Sequence, residues 1–136
     1  QTGKGLEVWY LTPTYKRELV SSASVGSEFS EVLPVMNHMQ EEEFTRESIL
    51  LAREITSQLI NTIGNVTENR GLKEGEWLVV RKAKMPSILV EVGFVSNRDE
   101  AARLLDTAYL QKITQALYNG VSLFIEQYEK SKGFTE

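Results

Sequence analysis

One carboxylate in this 136-residue chain sits where carboxylates are rarely tolerated. The run Ile88-Leu-Val-Glu-Val-Gly-Phe-Val95 is apolar at nearly every position except Glu91. Such a run reads as a strand buried on both faces, as in the middle of a parallel sheet. A carboxylate inside it is costly unless a cation, a metal-bound water or a buried basic side chain compensates it. Gly93 follows where a β-former is expected, and glycine in a strand marks close approach of a ligand or a second backbone. Ser96-Asn-Arg-Asp-Glu100 then opens a helix, with Asn97 placed to cap and Glu100 three residues on, as in a capping box. A helix N-terminus offers unpaired N–H groups to an anion, and ligands of open α/β sheets gather outside the carboxyl ends of the strands. Two chemistries fit: Glu91 as a proton-transferring catalytic group, or Glu91 as the structural partner of a base such as Arg70 or Lys73. The residue pattern leaves both open.

Other reactive groups are sparse. There is no cysteine, which excludes a disulfide framework and thiolate metal sites. The one histidine, His38, lies in an irregular stretch. A catalytic metal centre takes about three protein ligands, so no metal ligands are assigned in this chain. The net charge of -4 argues against a general nucleic-acid binder, which needs clustered Lys and Arg. No apolar run approaches the ~18 residues of a membrane span, and no export signal is in view where the chain opens on Gln1-Thr-Gly-Lys-Gly5. The length suits one domain with a hydrophobic core, and 41% apolar with 25% charged residues is ordinary for a soluble globular protein.

The elements that must position Glu91 follow from periodicity. Leu6-Glu-Val-Trp-Tyr-Leu11 is rich in β-formers and ends before Thr12-Pro13, which predicts a strand. Residues 12–44 are the least patterned stretch and form an insert that is functional, mobile or partly helical. Its acidic run Glu41–Glu43 reads as the solvated start of a helix. From Thr45, Ile49, Ala52, Ile55, Leu59 and Ile63 recur at helical spacing, with Gly64 as terminator. Asn69-Arg-Gly71 reads as a turn, Trp77–Arg81 as a second strand and residues 87–95 as a third. A short helix carries Ala101, Leu104 and Leu105. A longer one from Thr107 carries the stripe Leu110, Ile113, Leu117, Val121, Phe124 and Tyr128, and residues 129–136 form a fraying tail. Interleaved strands and helices predict an α/β domain with a mostly parallel sheet flanked by helices, although three strands are few.

The residues around Glu91 also carry a likeness. Met85-Pro-Ser-Ile-Leu-Val-Glu-Val-Gly-Phe-Val-Ser-Asn97, followed by Glu100 and Leu104-Leu105, resembles the C-terminal motif of zinc-dependent N-acetylmuramoyl-L-alanine amidases. Asn69-Arg-Gly-Leu-Lys73 resembles that family's turn before the penultimate strand. Gly5–Leu11 resembles the strand after its last zinc ligand, and Thr107–Tyr128 its terminal helix. The resemblance covers most of residues 3–128. It implies hydrolysis of the amide bond between N-acetylmuramic acid and the L-alanine of the peptidoglycan stem. Zinc would activate water, and Glu91 would act as the general base and acid. It further implies action in the cell envelope, periplasmic or extracellular.

In that family the zinc ligands, two histidines and a glutamate, lie upstream of the strand resembled by Leu6–Leu11. The resemblance therefore implies that residues 1–136 are the C-terminal portion of one catalytic domain, that the first strands of its sheet lie elsewhere, and that this chain alone binds no catalytic zinc and is inactive. Some relatives carry, at the place of the 12–44 insert, a helix that covers the metal until an activator displaces it. Glu28–Leu33 is a candidate for such a piece; a plain surface loop is the alternative. Two other functions stay open: a non-catalytic amidase-like module binding the cell wall or a partner, and an unrelated α/β interaction domain.

Overall fold

A computed structural model describes residues 3–131. Its strands are β1 (Leu6–Leu11), β2 (Asn69–Gly75) and β3 (Ile88–Glu91). Its helices are α1 (Ser22–Val25), α2 (Leu33–Ile63), α3 (Leu78–Lys82), α4 (Arg98–Leu104) and α5 (Thr107–Lys130), with a 3-10 turn at Ser27–Phe29. The α/β class holds: a three-stranded sheet of order β2-β1-β3 is flanked by helices. β1 and β2 are parallel, as expected, but β3 runs antiparallel to β1. β3 is one of the two outer strands of the described sheet and its residues are half-buried. An apolar run of this length says that a strand is covered; it does not say which way its neighbour runs. The strand also ends at Glu91, so Val92–Val95 lie outside it.

The middle of the chain departs most from the periodic reading. Trp77–Arg81 is no strand; Trp77 precedes α3, which buries Val80 and leaves Leu78 and Val79 exposed. Short apolar runs fit either structure, and here one-sided burial selects the helical turn. The strand lies instead at Asn69–Gly75, where a turn is predicted. The turn signal is real but is spent inside the strand. Gly71 has φ of 83°, Asn69 Oδ1 accepts the Gly71 N–H at 2.9 Å, and the β1–β2 register shifts between Leu6 and Val8. That is a β-bulge with glycine at the positive-φ position.

α2 begins at Leu33, with Pro34 in its first turn where a missing N–H is harmless. Glu41–Glu43 are therefore interior to a helix rather than at its start, and the insert shrinks to the stretch between β1 and α2. That stretch is tied down. Arg17 forms a two-bonded ion pair with Glu41 at 2.7 and 2.8 Å and donates to the carbonyls of Val80 and Ala83. The Asn37 amide accepts the N–H groups of Leu19 and Val20 and donates to the Val20 carbonyl. α1 and the 3-10 turn that follow contribute no buried residue.

The core lies where α2 and α5 pack together and α2 packs on β1. Leu6, Ile55, Leu59, Ile63, Tyr109, Ile113 and Ala116 form it, with Ile88, Val90, Val92 and Leu104 packed against it. Each fully buried aliphatic side chain contributes roughly 1.5–3 kcal/mol. The helical stripe on α2 is buried as predicted at Ala52, Ile55, Leu59 and Ile63, whereas Ile49 is half-buried and lies outside the core. On α5 the buried face is Tyr109, Ile113, Ala116 and Gly120, while Leu110, Val121 and Tyr128 stay 41%, 43% and 40% exposed. The buried face of α5 thus lies one position round from the predicted stripe and shares only Ile113 with it, and Gly120 on it lets the helix approach Ile55 of α2 closely. The helix continues to Lys130, into the expected tail; 132–136 lie outside the described residues.

One core residue runs against the rest. Glu47 on α2 is 2% exposed, and its Oε1 has no hydrogen-bond partner among the described residues. Burial, with the charge of Glu43 adding to it, pushes its carboxyl up to about 7. The unfolded chain ionises this group near 4.5, so between those values the folded chain holds the extra proton. The neutral group's favourable effect is complete below the unfolded value and is lost as pH rises through about 7. Glu47→Gln should therefore stabilise the fold at pH 8 by of order 1–3 kcal/mol and have little effect near pH 4. Urea unfolding midpoints at the two pH values check this.

Candidate active site

The antiparallel register of β1 and β3 sets Glu7 directly opposite Glu91. Directly opposed side chains stand on one face within contact range, and two carboxylates so placed repel unless one is neutralised. Glu7 is the one held ionised. It is 4% exposed, and Arg70 Nε donates to its Oε2 at 2.7 Å. Lys73 Nζ donates to the same oxygen, and Trp9 Nε1 donates to Oε1 at 3.1 Å. Burial works against the charge, but the hydrogen bonds from Arg70 and Lys73 draw the Glu7 carboxyl down to about 2. Glu91 is displaced the other way. Burial, its hydrogen bond with Glu7 and the Glu7 charge all raise it; Trp9 and Lys73 oppose them more weakly. Carboxyls pushed apart in this way divide into a fixed charge and a group that can accept and release a proton.

The bulge in β2 makes this possible. Residues 70 and 73 are three apart, and strand side chains alternate, so a regular strand would send them to opposite faces. The extra residue at Gly71 resets the alternation, and both cations reach Glu7. Arg70 and Lys73 are the bases named for Glu91 under the structural alternative; their ion pairs go to Glu7 instead. Aromatic rings complete the surroundings. The Arg70 guanidinium lies 5.1 Å from the Phe94 ring centre and Lys73 Nζ 5.3 Å from that of Trp9. Trp77 meets Trp9 edge-on at 5.6 Å.

The turn after β3 is braced from within. Glu100 is 3% exposed; its Oε1 accepts the Gly5 N–H at 2.7 Å and its Oε2 accepts the Phe94 N–H at 2.8 Å. One carboxylate therefore joins the entry to β1 with the exit from β3. A Cβ on Gly93 would stand 3.3 Å from Glu100 Oε2, so the close approach expected there is made by the protein's own side chain. Asn97 caps α4 as predicted, accepting from the N–H groups of Asp99 and Glu100. The other half of a capping box is not made, because Glu100 turns to Gly5 and Phe94. The Asn97 cap takes up two of the helix N-terminal N–H groups that the sequence offered to an anion.

His38 stands far from ligand chemistry. It is exposed on α2 beside Glu42, 3.3 Å away. Among the described residues no group of three His, Asp or Glu side chains is arranged to hold a metal ion. The residues present therefore do not fit a catalytic zinc by themselves. Glu28 to Val32 are exposed at the surface. Glu7 is the site residue that periodicity missed. Its signal was available, since it is the sole charge within Leu6–Leu11, just as Glu91 is within Ile88–Val95.

Comparison with known proteins bears on this arrangement. Residues 1–122 match the Amidase_3 family model, described as N-acetylmuramoyl-L-alanine amidase. Over 110 residues the chain is 32% identical to the uncharacterized protein YqiI of Bacillus subtilis (strain 168), covering 81% of this chain and 52% of that one. It is 37% identical over 70 residues to N-acetylmuramoyl-L-alanine amidase LytC of the same bacterium, covering 52% of this chain and 14% of LytC. The CwlD amidase from Clostridioides difficile, solved in complex with the GerS lipoprotein, shares the fold. Its TM-score is 0.62 at 18% identity, over 91% of this chain and 47% of that one. The chain thus spans about half the length, or less, of these relatives.

The electrostatic reading makes opposite demands on two neighbours of Glu91. Glu7→Gln removes the charge and hydrogen bond that raise it and frees Arg70 and Lys73 toward it, so the Glu91 titration should move to lower pH. Lys73→Met removes a favourable cation, so it should move to higher pH. Carbon-13 NMR titration of the Glu91 carboxyl distinguishes the two; shifts of the same sign in both variants contradict the assignment.

Proposed function

This chain belongs to the Amidase_3 family of N-acetylmuramoyl-L-alanine amidases, and from that premise we propose that the protein cleaves the amide bond between N-acetylmuramic acid and L-alanine in peptidoglycan, with Glu91 as general base and acid. The observation that carries the proposal is the opposition of Glu7 and Glu91 across β1–β3, with one carboxyl drawn down and the other pushed up. Glu91 takes a proton from the attacking water and delivers it to the departing L-alanine nitrogen, a shuttle that needs a carboxyl titrating above its ordinary range. Glu7, locked to Arg70 and Lys73, is the fixed charge that keeps Glu91 proton-seeking. The rings of Phe94 and Trp9 lie against those two cations.

Zinc is the proposed cofactor, and its ligands are proposed to come from outside this chain. When bound it would supply Lewis-acid polarisation of the scissile carbonyl. By the same reading this chain alone is inactive, and the whole protein acts in the cell envelope. The stretch between β1 and α2, anchored through Arg17 and Asn37, is the segment on which an activator would act.

The test uses the full protein on purified peptidoglycan, counting newly exposed L-alanine N-termini. Glu91→Gln should lower kcat by about 10²–10⁴-fold with zinc content and circular dichroism unchanged, and residues 1–136 alone with added zinc should release nothing. Undiminished turnover in Glu91→Gln rejects the catalytic role. Absence of turnover in the unsubstituted full protein favours a non-catalytic cell-wall binding module instead.

A further inference from the structure

At the other end of β3 from Glu91, the structure holds a second feature that the proposed hydrolysis does not use. Ser48 Oγ on α2 accepts the Ser87 N–H just before β3, fixing the Lys84–Pro86 loop beside α2. Between that loop, α2 and the second half of α5 lies an open cavity of about 550 Å³. Its walls are apolar and include Phe44, Leu51, Pro86, Val121, Phe124 and Ile125. Its size falls in the range of small-molecule sites, roughly 300–1,000 Å³.

Glu47 lines this cavity. It is the buried carboxylate whose Oε1 has no hydrogen-bond partner among the described residues. Native structures rarely leave such an atom unsatisfied without a reason. Glu43, one helical turn away, lines the same cavity and adds negative charge. Lys84 also lines it but forms no ion pair with either carboxylate among the described residues. Arg46 is the one cation with a resolved influence on Glu47, and that influence is the weakest of the three acting on it.

We propose that this cavity binds an organic cation, an ammonium group carried on an apolar body, with Glu47 receiving the ammonium and the α2–α5 walls receiving the body. The other ligand classes fit less well. An anion meets Glu47 and Glu43. A neutral hydrocarbon leaves the Glu47 charge uncompensated. A hard metal ion needs several oxygen ligands, whereas the walls here are mainly carbon. An ammonium beside Glu47 compensates the charge of its carboxylate, which also accounts for a carboxylate whose burial works against the fold.

The test measures calorimetric binding of 4-phenylbutylammonium, 4-phenylbutanol and 4-phenylbutanoate to the full protein at pH 8. The ammonium should bind at least tenfold more tightly than the alcohol, and the carboxylate weakest. Glu47→Gln, checked for intact fold by circular dichroism, should bring ammonium and alcohol to equal affinity. Ile125→Trp, at the half-exposed mouth, should block all three. Equal binding of the three compounds overturns the proposal. So does a preference for the ammonium that survives Glu47→Gln, or no binding to the intact protein, as when another part of it fills the cavity.

Discussion

Much of this molecule's arrangement depends on one buried charge, that of Glu7. An ionised carboxylate nearly without solvent costs several kcal/mol unless it is paired and hydrogen-bonded. Here Arg70, Lys73 and the Trp9 indole share that task. Satisfying Glu7 requires β2 to lie parallel to β1 with a bulge at Gly71, since only that register brings residues 70 and 73 to the same face. β3 pairs on the other side of β1, where Glu91 faces that charge and is hydrogen-bonded to it. The displaced titration of Glu91 is a consequence of this arrangement.

A second carboxylate, Glu100, holds the frame in which that opposition is kept. By accepting from Gly5 and Phe94 it joins the segment before β1 to the turn after β3, at the end of the sheet where Glu7 and Glu91 lie. Charge-assisted bonds of this kind are about twice as strong as neutral ones. Packing of α2 on β1 and of α5 on α2 supplies the hydrophobic stabilisation. Arg17, reaching Glu41 and the carbonyls that end α3, fastens the stretch between β1 and α2 to the helical layer.

Glu47 shows the opposite solution to the same physical problem. It is as buried as Glu7 yet has no cation bound to it, and it takes up a proton rather than a partner near neutrality. One buried carboxylate organises its neighbours, and the other is tolerated beside an apolar cavity. The difference lies in what the fold brings near: two cations from β2 in one case, the flank of α5 in the other.

The residue pattern by itself determined the α/β class, the strand at Leu6–Leu11, the buried stripe of α2, the Asn97 cap and the anomalous position of Glu91. Each of these is local, set by periodicity or by a side chain bonding to backbone two or three residues away. The match of residues around Glu91 to an amidase motif was equally local, and the family model extends it over residues 1–122. Tertiary structure decided the rest. Asn-Arg-Gly is a turn signal, and only pairing with β1 turned it into a bulge inside a strand. The apolar stretch after Trp77 became helical because a single residue, Val80, had a buried place to fill. Arg70 and Lys73 were visible as bases, but which of two glutamates they serve depends on strand register, a contact between residues more than sixty positions apart that no short-range pattern encodes.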